Sequence, residues 1–137
     1  MKLTLNKLDA PFLMEVKNSE ENSVLLDANE SIGGTGKGLR PMELVAAGLA
    51  GCSSIDVLNI LRKKKKTIDS LRVEIDATRV DDIPAVFDTI QLIFHLQTDA
   101  SETDLEQALR LTFEKYCSVS KMLEKTVKIT YSYKLNA

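Results

Sequence analysis

The chain has 137 residues, 44% of them hydrophobic and 28% charged, with a net charge of -2 from 18 basic and 20 acidic side chains. That length fits one domain over residues 1–137, and the balance excludes a disordered tail, a collagen and recruitment of nucleic acid by bulk charge. With no Trp and two cysteines, the core must rest on Leu, Ile and Val rather than on a disulfide framework.

Residues 3–8, 12–17 and 23–27 read as three short strands separated by turns at Asp9-Ala10-Pro11 and Ser19 to Asn22, which is a meander. Residues 31–38 hold four glycines in eight positions. The stretch fails the phosphate-loop pattern twice, because Gly38 follows Lys37 and Ser31 stands where the first glycine belongs, and it reads instead as a flexible connection or lid. Pro41 opens a helix that runs to about Lys65, with Pro suited to the first turn. Its first half is small: Ala46, Ala47, Gly48, Ala50, Gly51, Cys52, Ser53 and Ser54. Each interior glycine costs about 1 kcal/mol relative to Ala, so this half is expected to meet a second helix or a partner chain at close range. The run Arg62 to Lys66 reads as a solvated, cationic helix end that suits the helix dipole.

Alternation predicts strands over 70–80 and 86–98, paired as an antiparallel hairpin. Ser101 with Asp104 predicts a capping box, and Leu105, Ala108, Leu109, Thr112 and Phe113 follow at helical spacing. A short helical turn is expected from Ser118, and a last strand over 126–135. The order of elements is α+β rather than an alternating parallel pattern. No apolar run approaches the ~20 residues needed to cross a bilayer. The first residues lack a signal-peptide pattern, which points to the cytoplasm, where thiols stay reduced.

His95 is the single histidine and falls out of phase with Ile90, Leu92, Phe94 and Leu96, so it reads as a surface residue. One His and two distant cysteines assign no metal site and no cofactor. The thiols carry the remaining chemistry. Cys52 lies in the small-residue half of the long helix, and Cys117 lies 65 residues later at a helix end. A free cysteine is usually a small buried hydrophobe. A helix restarting at Ser118 would favour a thiolate at Cys117.

The stretch Gly38-Leu-Arg-Pro41-Met-Glu-Leu-Val-Ala-Ala-Gly-Leu-Ala-Gly-Cys52, followed by Cys117-Ser-Val-Ser120, resembles the OsmC/Ohr family. The resemblance covers essentially the whole order of elements. It implies an intertwined α+β homodimer, with antiparallel sheets around a long central cysteine-bearing helix and sites at the subunit interface. It also implies thiol-dependent, peroxiredoxin-like reduction of organic hydroperoxides in oxidative-stress defence. Carried over, Cys52 attacks the peroxide and becomes a sulfenic acid, Cys117 condenses with it, and a dithiol reductant resets the pair, with no cofactor.

The sequence departs from the family pattern at the groups that surround the first thiol. No arginine precedes Arg40, and Met42 stands where the family carries a glutamate. Ser118 replaces the proline that follows the second cysteine. Arg40, with Lys37 beside it, and Glu43 are then the candidate substrate-binding residues. Nine residues at about 100° each place Glu43 on the helix face opposite Cys52, facing another chain if it serves a thiol at all. These departures open a second reading, a non-catalytic OsmC-like dimer that holds a small or lipidic ligand in an interface pocket, with no role at a membrane.

Overall fold

Three short strands open the chain in the computed structural model, which describes residues 1–137. They are β1 (Leu3–Lys7), β2 (Met14–Asn18) and β3 (Ser23–Leu26), paired antiparallel in that order. The β2–β3 turn is closed by Asn18, whose side-chain oxygen accepts from the Glu20 and Asn22 amides at 2.9 and 3.0 Å. Residues 1–45 and 46–137 group as two compact units, and the meander belongs to the first.

The glycine-rich segment is an ordered loop and not a flexible lid. Asp27 is 1% exposed, and its carboxylate accepts from the Ala28 amide and from both the amide and hydroxyl of Thr35, at 2.6–2.8 Å. The Thr35 hydroxyl, then its amide, hold the Asp27 carboxyl below the usual carboxylate range. Leu39 returns alongside β3, donating to Leu25 and accepting from Asp27. A Cβ on Gly34 would stand 1.8 Å from the Ala28 carbonyl oxygen, and one on Gly38 2.8 Å from the Leu26 carbonyl carbon. The glycines are there because two stretches of backbone pass too closely for a side chain.

The long helix α1 (Pro41–Lys63) begins and ends within two residues of the sequence expectation, and Lys65 at φ 60° marks the break. Leu49, Val57 and Leu61 are fully buried along one stripe. Ser53 is buried on the same stripe and satisfies its hydroxyl on the Leu49 and Ala50 carbonyls. The expected close backbone contact at the glycines is not made within this chain: a Cβ on Gly48 or Gly51 meets nothing within 4 Å. The expectation that no segment could cross a bilayer also needs correction. By length and composition α1 is long and apolar enough to cross one, with mean hydropathy 1.7 over its most apolar window. The basic run is tied down rather than wholly solvated. Lys64 bonds to Gln107 and pairs with Asp104 at 3.4 Å, and Lys66 pairs with Asp104 at 3.6 Å.

In the second unit β4 (Ile68–Arg79) and β5 (Phe87–Thr98) form the antiparallel hairpin the alternation predicts. Ile90, Leu92, Phe94 and Leu96 of β5 are all at most 1% exposed. The chain then runs through α2 (Glu102–Leu111), one π-helical turn (Thr112–Tyr116) and α3 (Ser118–Leu123) before β6 (Lys128–Leu135). The Ser101/Asp104 capping box is fully formed. β6 lies beside β5 in parallel register, from Thr89↔Lys128 to Leu96↔Leu135, so the second sheet is mixed, not antiparallel throughout. The intervening helices form the crossover that a parallel pair requires. Phe113 locks crossover to sheet, stacking on Tyr131 with centroids 4.4 Å apart and meeting Phe94 edge-on.

Candidate active site

Cys52 sits midway along α1, half-buried, while Cys117 is buried at 3% exposure. The crossover delivers Cys117. The π turn ends by returning the Cys117 amide to the Thr112 carbonyl at 2.8 Å, and α3 starts at the next residue. Cys117 is therefore the N-cap of α3, its sulfur accepting from the Ser120 amide at 3.4 Å. π turns are uncommon and concentrate at functional sites, because the extra residue re-aims the next stretch of chain.

The two thiols meet. Together with the Asp56 carboxylate, their sulfurs form a set whose ligating atoms all lie within 4.8 Å of one another. A disulfide needs about 2.05 Å between sulfurs, so the two must draw closer before they can bond.

The electrostatics separate the two sulfurs. Burial pushes the Cys117 thiol up to about 11, against the weaker pull of the Ser120 amide and with further upward pushes from Cys52 and Asp56. The α3 N-terminus thus fails to make Cys117 a ready thiolate, because desolvation outweighs one hydrogen bond to sulfur. Cys117 is neutral at pH 7. The half-buried Cys52 is the sulfur that a reagent can reach.

Asp56 was missed by reasoning from motifs. It lies one turn beyond Cys52 on the same face of α1, and that i, i+4 spacing of an acid from a candidate nucleophile was the available signal. Its Oδ2 is sealed from water and has no hydrogen-bond partner, and burial pushes its carboxyl upward. Two sulfurs and one carboxylate fall one donor short of the four protein ligands of a structural zinc site. His95 cannot supply the fourth, because it is held in the β4–β5 register by Glu74 at 3.0 Å and Arg72 at 3.3 Å. Arg72 first, then His95, holds Glu74 down at about 2.

Arg40 and Glu43 are brought to each other. The Arg40 amide donates to Glu43 Oε1 at 2.8 Å, and the guanidinium stands 3.7 Å from the same oxygen. This is the reciprocal half of a capping box, with Arg40 as N-cap of α1 and Glu43 at the third helical position. Both side chains are about half exposed.

A family model described as OsmC-like protein matches residues 34–132, a span that includes both cysteines. Protein YhfA of Escherichia coli (strain K12) is 35% identical over 122 residues, 88% of each chain. The crystal structure of a hypothetical protein from Aquifex aeolicus VF5 is similar at 28% identity with a TM-score of 0.80, over 99% of this chain and 97% of that one. The organic hydroperoxide resistance protein OhrB of Bacillus subtilis shares the fold at 20% identity and TM-score 0.63, over 97% and 96% of the two chains. With a family match over most of its length and a relative of this identity, the chain belongs to the OsmC-like family.

Proposed function

We propose that the protein is a two-cysteine thiol peroxidase that reduces organic hydroperoxides. The observation that carries this reading is the meeting of Cys52 and Cys117 within 4.8 Å across 65 residues of sequence. The Cys52 thiolate attacks the terminal peroxide oxygen, the O–O bond breaks, and the alcohol leaves after taking a proton. The Cys52 sulfenic acid then condenses with Cys117, releasing water, and the disulfide protects both sulfurs from over-oxidation. A dithiol reductant returns the pair to thiols, in a reducing compartment such as the cytoplasm. The name of the B. subtilis neighbour supports the substrate class.

The working unit in this reading is a homodimer. Ile55 and Val45 of α1 are 68% and 40% exposed, and Leu3 and Leu5 of β1 are 61% and 52% exposed. Gly48 and Gly51 leave space in which a second backbone fits. Arg40 and Glu43 are assigned to substrate binding, presented by one chain to the thiol of the other. The second reading, a dimer that binds a small or lipidic ligand without turnover, is favoured by one observation: no arginine precedes Arg40 and Met42 replaces the family's glutamate.

One equivalent of an organic hydroperoxide added to reduced protein separates the two. The peroxidase reading expects rapid loss of two hydrogens in intact mass and of both free thiols, blocked by Cys52→Ser or Cys117→Ser. Unchanged mass and thiol count after hours would overturn it and favour the binder.

A further inference from the structure

Cys117 is a poor nucleophile as it stands. Burial raises the Cys117 thiol well above an ordinary cysteine, so it is almost wholly protonated at pH 7. Resolution at a useful rate therefore needs a base within reach of this buried sulfur. One titratable side chain other than Cys52 shares the cluster, Asp56.

Asp56 makes no structural bond through one of its oxygens. Its Oδ2 is closed to water and bonds to nothing, an arrangement that costs free energy and that marks functional sites more often than structural ones. The same side chain lines a cavity of about 300 Å³ with Asn59, Ile60, Lys63, Lys64, Leu111 and Tyr116. Asp56 therefore stands between the buried Cys117 sulfur and this cavity. The charged and titratable groups around it are Cys52 and Lys63 of α1, Lys64 just beyond its end, Tyr116 of the π turn, and Cys117 at the head of α3.

We propose that Asp56 is the acid–base group of the thiol pair, taking the proton from Cys117 as that sulfur attacks oxidised Cys52. This rests on the peroxidase reading for its oxidant, an organic hydroperoxide. The freed electron pair of Cys117 forms the S–S bond to Cys52. The S–O bond of the Cys52 sulfenic acid breaks, and the hydroxide leaves with the pair that made that S–O bond. Asp56 passes the proton on to the departing hydroxide, water is released, and the carboxylate is regenerated. Cys52 sulfur is reduced from sulfenic acid to disulfide while Cys117 is oxidised from thiol. A carboxyl raised by burial is a stronger base than an ordinary one, which suits this exchange.

The test isolates the base step from peroxide chemistry. Reduced protein is treated with one equivalent of dithiobis(nitrobenzoate). Cys52 releases one nitrothiobenzoate and holds the other as a mixed disulfide. Attack by Cys117 then releases the second, a leaving group that needs no proton. Rates of the two releases are compared for wild type, Asp56→Asn and Asp56→Glu across pH 5–9, with circular dichroism confirming each fold. The first release reports access to Cys52. The expected result is a second release slowed by roughly 10²–10⁴ in Asp56→Asn, the range of general-base catalysis, and partly restored in Asp56→Glu. In Asp56→Asn the second rate should also climb about tenfold per pH unit through neutrality, while wild type levels off. A second release in Asp56→Asn within threefold of wild type would overturn the proposal, and so would wild-type protein that stops after one release. Should Asp56→Asn not fold, Asp56→Ser takes its place, and a second release within threefold of wild type would overturn the proposal in the same way. Wild type that pairs its sulfurs with this reagent but ignores hydroperoxide would instead remove the peroxidase reading and leave the acid–base role of Asp56 standing.

Discussion

Cys117 holds two positions at once, as the N-cap of α3 and as the resolving thiol of the proposed cycle. The two can be separated, because serine is among the favoured N-cap residues while its hydroxyl cannot form a disulfide. Cys117→Ser should keep the cap on the Ser120 amide and lie within about 1 kcal/mol of wild type in stability. Cys117→Val removes the cap and should lose about 0.5–2 kcal/mol. Both should halt at the Cys52 sulfenic acid, trapped by a dione probe and seen by mass, and then drift to the sulfinic acid under excess peroxide. Thermal melts and adduct masses read the two effects separately. Sustained multiple turnover by Cys117→Ser would end the resolving role. The two cysteines are legible as a pair because their sequence contexts match a family, whereas Asp56, four residues after Cys52, belongs to no motif of its own. Its i, i+4 spacing places it beside Cys52, but its relation to Cys117 depends on which side chains the crossover brings against α1, and distant residues set that.

Most elements were legible because each has a strong local signal. The capping box at Ser101, the alternation in β4 and β5, and the run from Pro41 to the lysines are each specified within a few residues. The features that were not legible depend on distant partners. The parallel pairing of β6 comes from the crossover and not from the alternation of Val127 to Leu135. The glycine-rich segment has the composition of a flexible loop, yet Asp27, outside the motif, gathers it through Ala28 and Thr35. That anchoring makes a prediction in pH. The fold holds the Asp27 carboxyl below its ordinary value, so its stabilisation is complete above the unfolded value near ~3.9 and is lost as pH falls through the lower folded value. Asp27→Asn should melt below wild type at pH 7 and release residues 33–38 to limited proteolysis. The gap in melting temperature should then narrow as pH drops below about 4, where the wild-type carboxylate itself takes up a proton. A gap of constant size down to pH 2 would assign the anchoring to shape rather than to charge.

The exposed surface of α1 bears on the state of the whole molecule. A 23-residue helix with glycines that touch nothing and an Ile at 68% exposure is an unfavourable surface to leave in water. If the chain works alone, Gly48→Ala should stabilise it by about 1 kcal/mol, because helix propensity improves and the new Cβ has open space. If a second copy packs there, the same methyl meets a backbone, and the sign reverses. The homodimer reading therefore predicts that Gly48→Ala lowers the melting temperature and Gly48→Leu raises the dimer dissociation constant at least tenfold, with helical content retained. Sedimentation and melts at several protein concentrations check both, since a coupled dimer melts at higher temperature when more concentrated. Gly48→Leu that sediments as the wild-type dimer, with an unchanged melt, would show that no backbone approaches this face. The Arg40 and Glu43 assignment would then lose its structural route to the partner's thiol, because it depends on α1 being shared between copies.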